Sequence, residues 1–157
     1  LGNQNLDKTL LSPRNKRLAL LVWFRLSRFY NQSIRQTNQH LKQWNLSAAQ
    51  FDILVQIGLY QPIAQQELAD KLVVTKGNVA QLLKKMETMG WIKREQHWKT
   101  KFITLTEEGS RFYKEVVPPQ EQFQATQFCG LDREEQAQLL YLLKKLQKSI
   151  DPEEETV

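Results

Sequence analysis

The chain has 157 residues, 41% hydrophobic and 25% charged, a length and balance that fit one globular domain with a real core. No stretch approaches the roughly 20 apolar residues of a membrane-spanning helix. Residues 1–12 lack the apolar run of a secretory signal, and the single Cys129 excludes an internal disulfide and suits a cytoplasmic location.

Residues 13–44 read as one long helix: Pro13 suits a helix start, and Leu18, Leu21, Val22, Arg25, Phe29 and Ile34 recur at helical spacing. Ser47 and Gln50 form a capping box for a second helix, with Leu46 and Phe51 as its hydrophobic staple. That helix runs to about Leu59 and stops at Tyr60-Gln61-Pro62. A short helix covers about Gln65 to Leu72, and Val73-Val74-Thr75 breaks the chain. Thr75 is the expected N-cap of a fourth helix that buries Val79, Leu82, Leu83, Met86 and Met89, and Gly90 supplies its left-handed stop. Strands are expected at 91–94 and 101–105, joined by a polar connector over 95–100. Thr106 then caps another helix, which Pro118-Pro119 is expected to interrupt or kink. Asp132 and Glu135 make a last capping box, and a final helix runs to about Ile150.

The charge is concentrated. The net charge is +5, yet residues 71–101 alone hold eight basic against two acidic side chains, and the remainder is one charge negative. A polyanion is the natural partner for such a segment. Two short helices around a tight break, followed by a basic hairpin, make a winged helix-turn-helix. The outer face of the second helix carries Lys76, Gly77, Asn78, Gln81, Lys84, Lys85 and Thr88, with no acid among them. Amides can read adenine edges and lysines can hold phosphates or guanine acceptors. The hairpin adds Lys99 and Lys101, with His97 and Trp98 near its tip.

Residues 139–143, Leu-Leu-Tyr-Leu-Leu, point all round a helix axis, so a monomer would leave apolar surface wet. The first helix, with Leu18 and Leu21, has the same problem. Pairing of two chains through Leu18, Leu21, Leu139, Leu140 and Leu143 resolves both, so a homodimer is expected.

The stretch from Leu46-Ser-Ala-Ala-Gln-Phe through residues 65–72, 74–87 and 89–94 to Leu105-Thr-Glu-Glu-Gly resembles the MarR family of regulators, in the family's order. The flanking helices and Gly130-Leu-Asp-Arg-Glu-Glu extend the resemblance over nearly the whole chain. It implies a single MarR-like domain, mainly α with a small β-hairpin wing. Residues 13–45 and 107–150 would then serve dimerisation, and 46–106 would form the DNA-binding part. By position, Thr75, Lys76, Gly77, Asn78 and Gln81 match the base-reading segment, and Gln65 and Gln66 would lie near phosphates. The implied activity is that of a homodimeric transcription regulator, a repressor on a pseudopalindromic double-stranded DNA operator. The wing departs from the pattern. Where relatives carry Asp-Arg-Arg this chain has His97, Trp98 and Lys99, in a hairpin that looks shortened, and Lys84 replaces an aspartate that can pair with a wing arginine. The wing should therefore be held differently, and the family's arginine insertion into the minor groove is not carried over. Trp23, Phe24, Tyr30, His40 and Trp44 are candidates to border the cavity that relatives place between dimer and DNA-binding parts, where a small effector would bind.

Other chemistry finds little support. There is no phosphate-cradling Gly-rich loop, no Ser/His or Cys/His arrangement with a local signature, and no paired carboxylates in a cleft-forming context, so no enzyme and no cofactor are expected. His40 and His97 lack zinc spacing. Two alternatives stand beside the main reading: a winged helix used only for protein contacts, and a redox sensor acting through Cys129.

Overall fold

The computed structural model describes residues 12–72 and 78–150. Helix α1 spans Pro13–Leu41, a length of about 43 Å at 1.5 Å per residue. Ser12 Oγ accepts from the Asn15 amide at 3.2 Å, and Pro13, which has no amide proton to satisfy, occupies the first turn. Only Thr37 and Leu41 are buried along the whole helix. A 3-10 turn over Lys42–Trp44 then ends at Asn45, whose left-handed φ of 56° reverses the chain.

Helix α2, Ala48–Tyr60, begins with the capping box read from the sequence: Gln50 N donates to Ser47 Oγ and Ser47 N to Gln50 Oε1. Asn38 Oδ1 accepts from Ala48 N at 2.9 Å, tying the end of α1 to the start of α2. A two-residue strand β1, Ile63–Ala64, leads directly into α3, Gln65–Lys71. Helix α4, Val79–Thr88, is followed by the hairpin of β2, Ile92–His97, and β3, Thr100–Leu105. The sheet is antiparallel in the order β1-β3-β2, with Ile63 opposite Ile103 and Ile92 opposite Leu105.

Ile53, Leu54 and Ile57 of α2, Leu68 of α3, Leu83 and Met86 of α4, and Ile63, Ile92 and Ile103 of the sheet form one buried core. Burial on this scale is the principal force holding α4 and the hairpin in place, since each buried aliphatic side chain contributes about 1.5–3 kcal/mol. Gly90, at φ 77°, ends α4 in the conformation that side chains resist.

Helix α5 spans Glu107–Thr126, and Thr106 joins it to the winged part. Its hydroxyl donates to the Gly90 carbonyl at 2.5 Å and accepts from Gly109 N at 2.9 Å, while its own amide donates to the Trp91 carbonyl at 3.0 Å. Gly109 allows this docking, because a Cβ there would lie 1.8 Å from the Trp91 carbonyl oxygen. Trp91 stacks on Phe112 with centroids 4.3 Å apart.

The chain divides into two compact units at Val117/Pro118, within α5. The helix nonetheless continues through Pro118 and Pro119, where the sequence suggests an interruption or kink. The second unit contains the end of α5 and α6, Arg133–Ile150. Asp132 and Glu135 cap α6 reciprocally: Glu135 N donates to Asp132 Oδ1 at 2.9 Å and Asp132 N to Glu135 Oε2 at 3.0 Å.

The structure corrects the sequence reading in two further places. β1 stands where the sequence suggests loop, because two residues between Pro62 and a helix carry no period-two pattern. The connector expected over 95–100 is instead mostly strand, with only Trp98 and Lys99 in the turn. Glu95, Gln96 and His97 have low β-propensity, but opposite them Thr100, Lys101 and Phe102 complete the ladder.

Candidate nucleic-acid interface

The amphipathic pattern of α4 decides which of its side chains face outward. With Val79, Leu83 and Met86 held in the core, Asn78, Gln81, Lys84, Lys85 and Thr88 are exposed. Asn78 occupies the N-cap position at φ 64° and makes no side-chain cap bond. Its amide nitrogen donates instead to Gln81 Oε1, one turn along. The two amides are thus a linked pair. The remaining expected readers, Thr75, Lys76 and Gly77, lie outside the described residues, as does the expected N-cap role of Thr75.

Strand alternation sorts the wing. Arg94, Gln96, Lys101 and Ile103 share one face, and Lys93, Glu95, His97, Phe102 and Thr104 share the other. Beside the first face Gln65, Gln66, Gln96, Lys99 and Lys101 converge with Ala64, Ala69 and Val79 on a groove of about 380 Å³, which Thr100 also borders at the turn. Four of the residues singled out in the sequence are therefore neighbours here, although 33 positions or more separate the α3 glutamines from the wing lysines. Gln96 is a member the sequence reading missed; its place becomes legible only once β2 is seen to extend to His97. His97 itself turns away. Its ring meets Phe102 edge-on at 5.9 Å and its Nε2 lies 3.7 Å from Glu95. Trp98 occupies the tip of the turn and is 91% exposed.

Among the described residues, three of the segment's basic side chains pair with carboxylates. Lys71 approaches Glu67 at 3.9 Å and lies over the Tyr60 ring, and Lys93 pairs with Glu95 at 2.8 Å. Both guanidinium nitrogens Nε and Nη2 of Arg94 reach Glu87 Oε2, at 3.0 and 2.5 Å. This bridge fastens β2 to α4, and neither residue is singled out for it in the sequence. The hydrogen bond from Arg94 holds the Glu87 carboxyl below its ordinary pKa, and Lys93 does the same for Glu95. Lys84, Lys85, Lys99 and Lys101 make no salt bridge among the described residues; Lys101 acts on Glu87 only at longer range, and Lys99 lies 5.4 Å from the Trp98 ring centroid.

The apolar candidates fall elsewhere. Leu18, Leu21, Trp23, Phe24 and Tyr30 are exposed on α1, and Leu140, Tyr141, Leu142 and Leu146 on α6, with Leu139 and Leu143 half-buried. The five aromatic pocket candidates are not gathered into one site. Trp23 packs edge-on against Phe24 and His40 against Trp44, and the two pairs are separated by about 24 Å of helix. A groove of about 710 Å³ does run along α1, lined by Leu21, Phe24, Arg25, Arg28, Ile34 and Arg35 among others. Of the candidates only Phe24 belongs to it. Cys129 is a free, exposed thiol in the turn after α5, and no cluster of three metal-ligating side chains occurs among the described residues. No helix among them is long and apolar enough to cross a membrane.

A core-anchored helix with an acid-free polar face, preceded by a short helix and followed by a basic two-stranded hairpin, defines a winged helix-turn-helix protein. Residues 46–99 match the model of the MarR family. An HTH-type transcriptional regulator of Bacillus cereus is 42% identical over 142 residues, covering 90% of this chain and 97% of its own. Among solved structures, a MarR-like transcription regulator from Bacillus cereus ATCC 10987 superposes with a TM-score of 0.76 at 18% identity, over 86% of this chain and 99% of that one. The S. aureus MepR-DNA complex gives a TM-score of 0.73 at 22% identity, over 82% and 96%. The chain belongs to the MarR family and is a DNA-binding transcription regulator of the winged helix-turn-helix class.

Proposed function

We propose that the protein acts as a homodimeric repressor on a pseudopalindromic operator, with the exposed face of α4 in the major groove. The observation that carries this reading is the convergence of Gln65, Gln66, Gln96, Lys99 and Lys101 on one groove beside the acid-free face of α4. Amide and ammonium donors with no carboxylate among them suit a phosphate strand. Asn78 and Gln81, with Thr75, Lys76 and Gly77 before them, read bases; Lys84 and Lys85 hold the backbone. His97, on the opposite face of the wing from the groove, contributes charge only when protonated.

Exposure to solvent supports a second copy. Exposed leucines and aromatics on α1 and α6 are too many for one chain to leave in water, and a two-fold axis lets each copy cover the other. Residues 13–45 and 107–150 would supply that interface and 46–106 the DNA contacts. Such a dimer binds half-sites whose centres lie about one helical turn, roughly 34–36 Å, apart. With amides as the principal readers and no arginine on α4, the site leans towards A·T pairs. The groove along α1 offers a place for a releasing ligand, and Arg25, Arg28 and Arg35 suit an acidic one.

The test is footprinting beside the protein's own gene, with affinity measured across a salt series. Counterion release requires a log–log slope of about −0.9 per phosphate contact, so several contacts give at least about a tenfold loss between low and physiological salt. A flat response, or protection without two-fold symmetry, overturns the proposal.

A further inference from the structure

Trp98 is the most exposed large apolar side chain among the described residues. It is also the first of the two residues in the hairpin turn, at φ 57°. Glycine, asparagine and aspartate adopt that conformation readily; a bulky aromatic does not. Tryptophan therefore does not suit the turn, and the folded state gains little from an indole left almost wholly in water. The turn is nevertheless held in order, because Gln96 Nε2 donates to the Trp98 carbonyl at 2.8 Å. The Lys99 ammonium lies 5.4 Å from the ring centroid.

The surroundings select the partner. Every other exposed large apolar side chain among the described residues is on α1, α2 or α6, so the wing offers one exposed large apolar ring, Trp98, beside the cations Lys99 and Lys101. One ring is far too small for a protein interface, which needs on the order of 800 Å² on each side. It is the size of one nucleobase. On the DNA-binding reading, a phosphate strand lying between α3 and the wing would border the major groove read by α4, and the wing tip beyond that strand would face the adjoining minor groove.

We propose that Trp98 is an aromatic wedge, whose indole enters the minor groove and stacks on a partly opened base step. This inference rests on the DNA-binding reading above and adds a specificity determinant to it. Pyrimidine–purine steps unstack most easily, so the wing selects them at positions where no side chain hydrogen-bonds a base. Each bound wing also kinks the duplex towards the major groove.

The experiment uses the full chain and a duplex that it enriches from a random-sequence pool, with 2-aminopurine placed at successive flanking positions. Binding should change the fluorescence at one step in each half-site: it rises at the base that loses a stacking neighbour and stays quenched at the base on which the indole stacks. Trp98→Ala should abolish that signal and weaken binding about five- to hundredfold, the loss expected for one base–aromatic stack, whereas Trp98→Phe keeps the signal. Trp98→Gly should raise Tm by relieving the turn while still weakening binding; a tryptophan with a merely structural role would lose both together. If the chain protects the enriched duplex but 2-aminopurine gives the same signal with the natural protein and with Trp98→Ala at every flanking position, or Trp98→Ala binds as tightly as the natural protein, the wedge is refuted and the DNA-binding reading stands. If no duplex is enriched, both fall.

Discussion

Asn78 and Gln81 are legible from the sequence as exposed amides, but their mutual hydrogen bond is not, since it depends on the left-handed backbone at Asn78. The bond leaves Asn78 its carbonyl oxygen and one N–H, and Gln81 its amino group, so the two present one preorganised edge. Replacing either with Ala should cost about 1–3 kcal/mol of operator affinity and relax preference at one base position. The double variant should lose less than the sum, because each single change already disorders the other amide. Additive losses in a double-mutant cycle would show two independent readers. The Glu87–Arg94 bridge makes a second prediction at this scale. The Glu87 carboxyl has a lowered pKa in the folded protein, so the bridge adds stability above the unfolded carboxylate pKa, near 4.5, and loses it as pH falls through the folded value. Glu87→Gln should lower Tm modestly at neutral pH and flatten that part of the acid-side curve, so that variant and natural protein converge at low pH. The pair is partly exposed, so the effect is modest. An unchanged acid limb in thermal melts from pH 5 to about pH 3 would remove the bridge from the account.

At the scale of elements, helix caps are the most readable features, because Ser47/Gln50 and Asp132/Glu135 act through bonds three residues apart. The wing is less readable. Its strand residues Glu95, Gln96 and His97 are polar, and only cross-strand pairing extends β2 to the tip. Lys99 and Lys101 should hold without reading: changing either to Ala weakens operator and scrambled duplex alike and reduces the salt slope by about one contact. A change in base preference in those variants would assign the wing lysines to base edges instead. The seat of α5 on the winged part gives a sharper test. Gly109→Ala drives a Cβ into the Trp91 carbonyl, a backbone atom that cannot rotate aside. The expected loss is at the upper end of about 1–3 kcal/mol or beyond it, measured by urea unfolding. A normal midpoint would mean that α5 approaches Trp91 less closely.

For the whole molecule, the exposed apolar faces of α1 and α6 set the expectation of a dimer. Leu140→Asp and Leu143→Asp each put a carboxylate where the second copy would lie, at a cost of several kcal/mol if it stays unpaired. Both should dissociate the protein or prevent folding, and lose operator affinity with it. Sedimentation of the natural protein as a stable monomer at micromolar concentration would refute the interface.

The sequence by itself determined the helices, their caps, the inward faces and the concentration of positive charge, because each is written in spacings of three or four residues or in simple counts. It also carried the family, through motifs kept in order along the chain. Only the tertiary structure decided which charges remain available, since Arg94 and Lys93 are taken up by Glu87 and Glu95. The same holds for the groove shared by Gln65, Gln66, Gln96, Lys99 and Lys101, and for Trp98 standing alone at the wing tip. Those facts depend on strand register and on how α3 and α4 sit against the sheet. Register is set by burying Ile63, Ile92 and Ile103 together, a choice made by the assembled core and by no local stretch of the chain.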